Sequence, residues 1–349
     1  MRMRKTAWVF LLCALIFSSV QAALVWRPGE GWVQEDSGEV LAASDSKAQM
    51  ALAKKFEIDE NWEAALKSYK ILVRRWPLSS SAGEAQFKVG FMAEKAANFW
   101  EAYKAYNLVI KKYPGSQFFD LAIERKFSIG RLYLAGEPQK LWKIPLLPSM
   151  DKAVEIFQSV IDDAPYGEYA ADSYFHIGLA RQKQGKWSEA IQAYRTILDR
   201  YLNSSIADDA QYQIGYAWYK ASSLPEYDQS AAQKSIEAFE DFAVKYPNSE
   251  KIIQAEEYME ELNGRQVQGA FNVAKFYETQ KNYKAAYIYY NDVVQRSPES
   301  NEASEAKKRI AIIRPLVAEE LNLPSLEEEN TSEQVESERR ILQERQERS

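Results

Sequence analysis

The sequence predicts an all-α protein, a right-handed solenoid of about six helix hairpins. A three-residue mark recurs along the chain, as Arg75-Trp76-Pro77, Lys112-Tyr113-Pro114, Asp163-Ala164-Pro165, Lys245-Tyr246-Pro247 and Arg296-Ser297-Pro298. Tyr201-Leu202 holds the same place in a further unit without its proline. The marks are spaced 37, 51, 37, 45 and 51 residues apart, so one unit length repeats and the longer ones carry insertions. Between marks, apolar residues follow a helical period that breaks once per unit.

The unit over 171–204 explains why each repeat is a hairpin. Tyr174, Ile177, Gly178 and Arg181 lie at helical spacing, Gln184-Gly185-Lys186 interrupts it, and Ala190, Tyr194 and Ile197 mark one face of a second helix. Gly178 and Ala190 are small where two helix axes must approach, and the tyrosines fill the space beside them. The closing proline cannot continue a helix and disfavours helical geometry in the residue before it. The other units repeat this plan at 46–79, 83–116, 123–167, 208–249 and 267–300. Their markers are Trp62, Ala65 and Tyr69; Gly90, Ala102 and Tyr106; Gly130, Ala153 and Phe157; Gly215 and Phe239; Ala274, Ala286 and Tyr290. This order of Trp, Leu-Gly, Tyr, Ala, Phe and Pro resembles the tetratricopeptide repeat.

The array is expected to span 46–313. Before it, residues 1–22 read as a signal peptide, with Arg2, Arg4 and Lys5, then an apolar run from Ala7 to Phe17, then Val20-Gln21-Ala22. Residues 23–45 contain Trp26-Arg27-Pro28-Gly29-Glu30-Gly31-Trp32 and read as an extended segment whose tryptophans dock on the array or on a partner. Residues 136–149 and 221–231 read as loops between the helices of units three and five, either packed down or open to a partner. Residues 314–349 read as an acidic, disordered tail; from 319 onward they hold ten acids and four arginines.

Net charge is −6, and no basic surplus exists for a nucleic-acid surface. The only cysteine, Cys13, lies inside the signal, and the only histidine is His176, so no disulfide and no usual zinc site is expected. No glycine-rich phosphate loop is present, and adjacent acids such as Asp162-Asp163, Asp208-Asp209 and Glu256-Glu257 point to different sides of a helix. The expectation is therefore a binding protein without cofactor, metal or small-molecule substrate, and not an enzyme.

Stacked hairpins present a concave surface suited to extended peptides. By resemblance to the repeat family, the first helix of each unit lines it. The candidates are Met50, Lys54, Glu57 and Ile58 in unit one, and Phe87, Phe91, Glu94 and Lys95 in unit two. Their aromatic and apolar strip suits an amphipathic peptide, with Lys54 or Lys95 meeting a terminal carboxylate. The alternative is that Phe87 and Phe91 pack between units.

A narrower resemblance rests on Tyr227-Asp228-Gln229-Ser230, Ile236-Glu237-Ala238-Phe239, Lys245-Tyr246-Pro247-Asn248-Ser249, Val273-Ala274-Lys275-Phe276-Tyr277 and Ser297-Pro298-Glu299-Ser300. Over roughly 208–310 these residues resemble the BamD/YfiO family of outer-membrane protein assembly factors. The resemblance implies a place at the periplasmic side of the outer membrane, early repeats that bind unfolded β-barrel proteins, and later repeats that bind the barrel-inserting subunit. It implies that Arg265 is a basic contact to that subunit. The family is normally lipid-anchored through cysteine, whereas Leu12 precedes Cys13 here, so membrane association through partners is expected. The competing reading is a periplasmic scaffold that coordinates cell-envelope or division proteins.

Overall fold

The computed structural model describes residues 42–136, 149–224 and 230–323, and the backbone of 23–27, 31–35, 140–141 and 144–145. The signal peptide, most of the two loops and tail residues 324–349 lie outside the described residues. The chain divides into two compact units: residues 1–125 with 139–144, and residues 126–138 with 145–349.

In the first unit, β1 (Ala23–Arg27) and β2 (Gly31–Glu35) pair antiparallel, with Trp26 opposite Trp32. Helices α1 (Ser46–Ile58) and α2 (Trp62–Arg75) form one hairpin, and α3 (Ala82–Lys95) and α4 (Phe99–Lys112) the next. The Asp45 carboxylate caps α1 by accepting from the Ala48 N–H at 2.9 Å, and Asn61 caps α2 through Ala64. Helix α5 (Phe119–Ala135) begins in this unit and ends in the second. Along the chain it is followed by the two-residue strands β3 (Lys140–Leu141) and β4 (Ile144–Pro145), where an irregular loop was expected.

The second unit continues with α6 (Met150–Asp163), α7 (Ala170–Lys183), α8 (Trp187–Arg200), α9 (Ala207–Ala221) and α10 (Ser230–Lys245). It closes with α11 (Ile252–Thr279), α12 (Tyr283–Arg296) and α13 (Asn301–Val317). Helix α13 corrects the expected boundary, because residues 314–317 are helical rather than the start of a tail. Helix α11 has 28 residues; its first half packs Ala255 and Leu262 against α9 and α10, and its second half packs Val267, Phe271 and Ala274 against α12 and α13.

Two devices build every regular hairpin. The first is close helix crossing at a small residue. A Cβ added at Gly90 would stand 2.6 Å from the Tyr106 ring, and one added at Gly215 would stand 2.6 Å from the Phe239 ring. Gly130 meets Phe157 and Gly178 meets Tyr194 in the same way. Four residues before the crossing residue, Gln49, Gln86 and Gln211 are buried and donate to carbonyls of the second helix at 3.0–3.1 Å. Buried amides are thereby satisfied where the helices meet. The third hairpin has Lys126 at this place, wholly buried and paired with Asp163 and Ser159.

The second device is the turn between the helices. Glu60, Ala97, Gly185 and Lys281 have positive φ of 56°, 56°, 73° and 61°. In each case the next residue's N–H reaches a carbonyl five residues back, as from Asn98 to Ala93 and from Asn282 to Tyr277. The positive-φ residue's own N–H bonds three residues back, which satisfies the last helical carbonyls and reverses the chain.

Candidate functional site

The first-helix residues expected to line a binding surface separate into buried and accessible sets. Met50 is 7% exposed and Phe87 5% exposed, so neither side chain is available to a ligand, which corrects that part of the expectation. Phe87 packs its ring 5.2 Å from Tyr106 and 5.0 Å from Phe118. Ring burial between helices removes more apolar area from water than a groove edge does, so packing prevails. Lys54, Glu57, Phe91 and Lys95 remain accessible to different degrees, with Ile58 fully outward.

Lys54 and Glu57 are held by polar partners. Lys54 Nζ lies 2.7 Å from Glu84. Glu57 accepts from the Tyr69 hydroxyl at 2.6 Å and from Lys88 Nζ at 2.6 Å. One repeat later, Glu94 accepts from the Tyr106 hydroxyl at 2.9 Å and meets Arg125 at 3.7 Å. Burial, then the bond to a carboxylate, pushes the Tyr69 and Tyr106 hydroxyls far up, so both stay protonated donors. Burial likewise raises the Glu94 carboxyl, against the pull of the Tyr106 hydroxyl.

Phe91 is the centre of the accessible part. Lys95 Nζ, Lys88 Nζ and Arg125 Cζ stand 5.3, 5.4 and 6.0 Å from its ring centroid. Three cations against Glu57 and Glu94 leave one positive charge in surplus beside an aromatic face. That arrangement can hold an apolar side chain and a carboxylate together. Lys88 and Arg125 escaped the sequence reading; their signal is that each lies 31 residues after the glutamate it meets. The same spacing recurs at Glu278, which accepts from Tyr290 at 2.8 Å and is paired with Arg309.

Arg265 occupies a separate place in the second compact unit. It lies on α11, half-exposed, paired with Glu261 one turn earlier, and donates to Ser223 Oγ at 3.3 Å. Its guanidinium stands 5.6 Å from the Tyr219 ring, and the Tyr219 hydroxyl donates to Glu261 at 2.7 Å. The bond from Tyr219, then the charge of Arg265, holds the Glu261 carboxyl below the usual carboxylate range. The guanidinium is thus held, half-exposed, by Glu261, Ser223 and the Tyr219 ring.

His176 is a packing residue. Its Nδ1 is 2.7 Å from the Asp172 carbonyl oxygen and its ring lies among Phe127, Phe157 and Phe175. Among the described residues, no three His, Cys, Asp or Glu side chains gather to hold a metal, and no helix is long and apolar enough to cross a membrane.

Residues 149–321 match the family model YfiO, described as an outer membrane lipoprotein, and residues 84–116 match a tetratricopeptide repeat model. The family region is wider than the stretch on which the resemblance rests, and reaches back to α6. An outer membrane protein assembly factor BamD of Caulobacter vibrioides is 22% identical over 160 residues, covering 46% of this chain and 52% of the relative. One of Xylella fastidiosa is 24% identical over 161 residues, covering 41% and 53%. The chain spans about half the length of these curated relatives. Among solved structures, a tetratricopeptide repeat protein from Parabacteroides merdae covers 77% of this chain and 98% of its own at 14% identity, with a TM-score of 0.34. Over residues 149–321 the chain belongs to the YfiO/BamD family of outer-membrane assembly factors, with a tetratricopeptide repeat ahead of that region.

Proposed function

We propose that this protein is a non-enzymatic scaffold of the BamD type, at work on the periplasmic face of the outer membrane. Its early repeats bind unfolded β-barrel proteins, and its later repeats bind the barrel-inserting subunit. The family match over 149–321 is the observation that supports this reading most directly. In the first compact unit, the peptide contacts are Phe91 and Ile58 for apolar side chains, with Lys54 and Lys95 for carboxylates. Glu57, Lys88, Glu94 and Arg125 hold those contacts in place. In the second unit, Arg265 is the contact to the barrel-inserting subunit, presented by Tyr219, Glu261 and Ser223.

Affinity purification of the tagged protein from detergent-solubilised envelope, followed by mass spectrometry, tests this function. Recovery of a barrel-inserting subunit in near-stoichiometric amount is expected. Recovery of division or peptidoglycan proteins in its place overturns the assignment. Arg265→Glu should reduce that recovery at least tenfold, about 1.4 kcal/mol, while circular dichroism stays unchanged. Undiminished recovery removes Arg265 from the interface.

A further inference from the structure

Phe91, Lys95 and Arg265 lie on α3 and α11, whereas α8 and α10 frame another groove, in the second compact unit. Helix α9 packs against both α8 and α10, and a cavity of about 790 Å³ lies over it between them. Its floor is Ile214 and Ala238, buried in one core with Tyr194 and Ile197. Leu198 and Trp218 are half-buried and Leu202 is 60% exposed, so these three offer apolar surface to a ligand. Leu202 stands where the other closing marks have proline, so this unit presents an apolar side chain at the mouth of the groove.

The groove is elongated. Lys234 marks one end, its ammonium 4.9 Å from the Trp218 ring centroid, and Lys245 with Tyr246 marks the other. At the helical rise, Lys234 and Lys245 are about 16 Å apart along α10, which an extended chain of about five residues spans. Leu202, Lys245 and Tyr246 also line a second cavity, of about 470 Å³, so the groove continues past the ends of α8 and α10. There Asn203, Ser205 and Asn248 present amide and hydroxyl groups, which match the N–H and C=O groups of a peptide main chain.

Charge selects among ligands. The rim carries Arg195, Lys234 and Lys245 against Asp199, Glu237 and Asp241. Equal numbers of each sign give no attraction for a polyanion or an anionic lipid surface. Lys245 meets Asp241 at 3.8 Å, whereas Arg195, Lys234, Asp199 and Glu237 form no ion pair among the described residues. Both signs are therefore left for a ligand that carries both. We infer that the groove binds an extended peptide segment of a partner protein. Its apolar side chains lie on Leu198, Leu202 and Trp218, an acidic side chain meets Lys234, and a basic one meets Asp199. The inference does not rest on the function proposed above.

Selection of a phage-displayed random heptapeptide library on the full chain, followed by fluorescence anisotropy on the synthetic peptides selected, tests it. A class of peptides that combines apolar residues with one acid and one base is expected. Lys234→Glu should weaken their binding at least about tenfold, and exchange of the peptide's acid for lysine should restore it, a rescue that a merely structural role would not give. Leu202→Arg should also weaken them, whereas Arg265→Glu and Lys95→Glu should leave them unchanged. All four side chains are accessible, so circular dichroism should not change in any variant. Failure to select any peptide overturns the inference, and so does selection only of peptides that Lys234→Glu leaves bound. Self-association of the chain that Lys234→Glu abolishes, measured by analytical ultracentrifugation, assigns the groove to a second copy and likewise overturns it.

Discussion

Four tyrosines of the second helices, Tyr69, Tyr106, Tyr194 and Tyr290, are each 0% exposed, so removal of their hydroxyls is a controlled experiment within one protein. Three donate to a glutamate at 2.6–2.9 Å, and a basic residue 31 positions after that glutamate completes the clasp. The fourth differs: Gln182 and Gln213 take the places of glutamate and base and bond each other at 3.0 Å, and the Tyr194 hydroxyl has no partner among the described residues. A hydrogen bond to a charged group contributes about 1.5–3 kcal/mol, and the glutamate retains its base after the hydroxyl is gone. Phenylalanine at 69, 106 or 290 should therefore destabilise by roughly 1–2 kcal/mol, a Tm drop of roughly 2–8 °C for an array of this size. Tyr194→Phe removes a buried hydroxyl that gains nothing from its surroundings, so its expected change is zero or a gain of up to about 1 kcal/mol. Differential scanning calorimetry on the four single variants, with hydrogen exchange to localise each effect, makes the comparison. A loss at Tyr194→Phe equal to that at Tyr69→Phe would refute the reasoning, because the clasp would then contribute nothing beyond the ring.

Two further outcomes follow from the same geometry. Gly178→Ala places a methyl group into the Tyr194 ring and should destabilise by about 1–3 kcal/mol. Gly264→Ala, in α11 with open space around it, should stabilise by about 0.5–1 kcal/mol; thermal melts of both variants check the contrast. On acidification, the junctions around Glu94 and Glu278 should respond in opposite senses. The Glu94 carboxyl is raised by burial, so its protonated form suits the fold, and stability there is lost as pH rises through the raised value. The Glu278 carboxyl is lowered, first by its bond from Arg309, so its contribution is present above the ordinary value of 4.5 and lost as pH falls below it. Protection factors measured down a pH series should rise in α3–α4 first and fall in α11–α13 only at lower pH; parallel behaviour contradicts the assignment.

The hairpins were legible because their determinants are local. The glycine that meets Tyr194 and the period around it lie within one unit, and their spacing is visible without knowledge of any contact. Lys126 was not legible in the same way. It lies four residues before Gly130, where other units have a buried glutamine, and only the structure shows that its ammonium is buried against Asp163. A lysine at a helix crossing reads as exposed by composition alone, since the partner that makes burial tolerable is 37 residues away.

For the candidate site, the sequence named first-helix residues without separating the accessible side chains from the buried ones. Resemblance to the repeat family brought Met50 and Phe87 together with Lys54 and Phe91 on the first helices, yet a helical period of 3.6 cannot separate a residue that faces the next repeat from one that faces solvent beside it. What separates them is the 31-residue relation between Glu57 and Lys88, Glu94 and Arg125, and Glu278 and Arg309. A pairing of that length follows neither helix period nor unit length; it measures the step from the end of one first helix to the middle of the next. Once found, it identifies which cations are held by partners and leaves Lys95 as the exposed charge beside Phe91 with no ion pair among the described contacts. In the proposed role, recognition of a carboxylate at this surface would therefore depend on Lys95 more than on Lys54, whose charge Glu84 already meets.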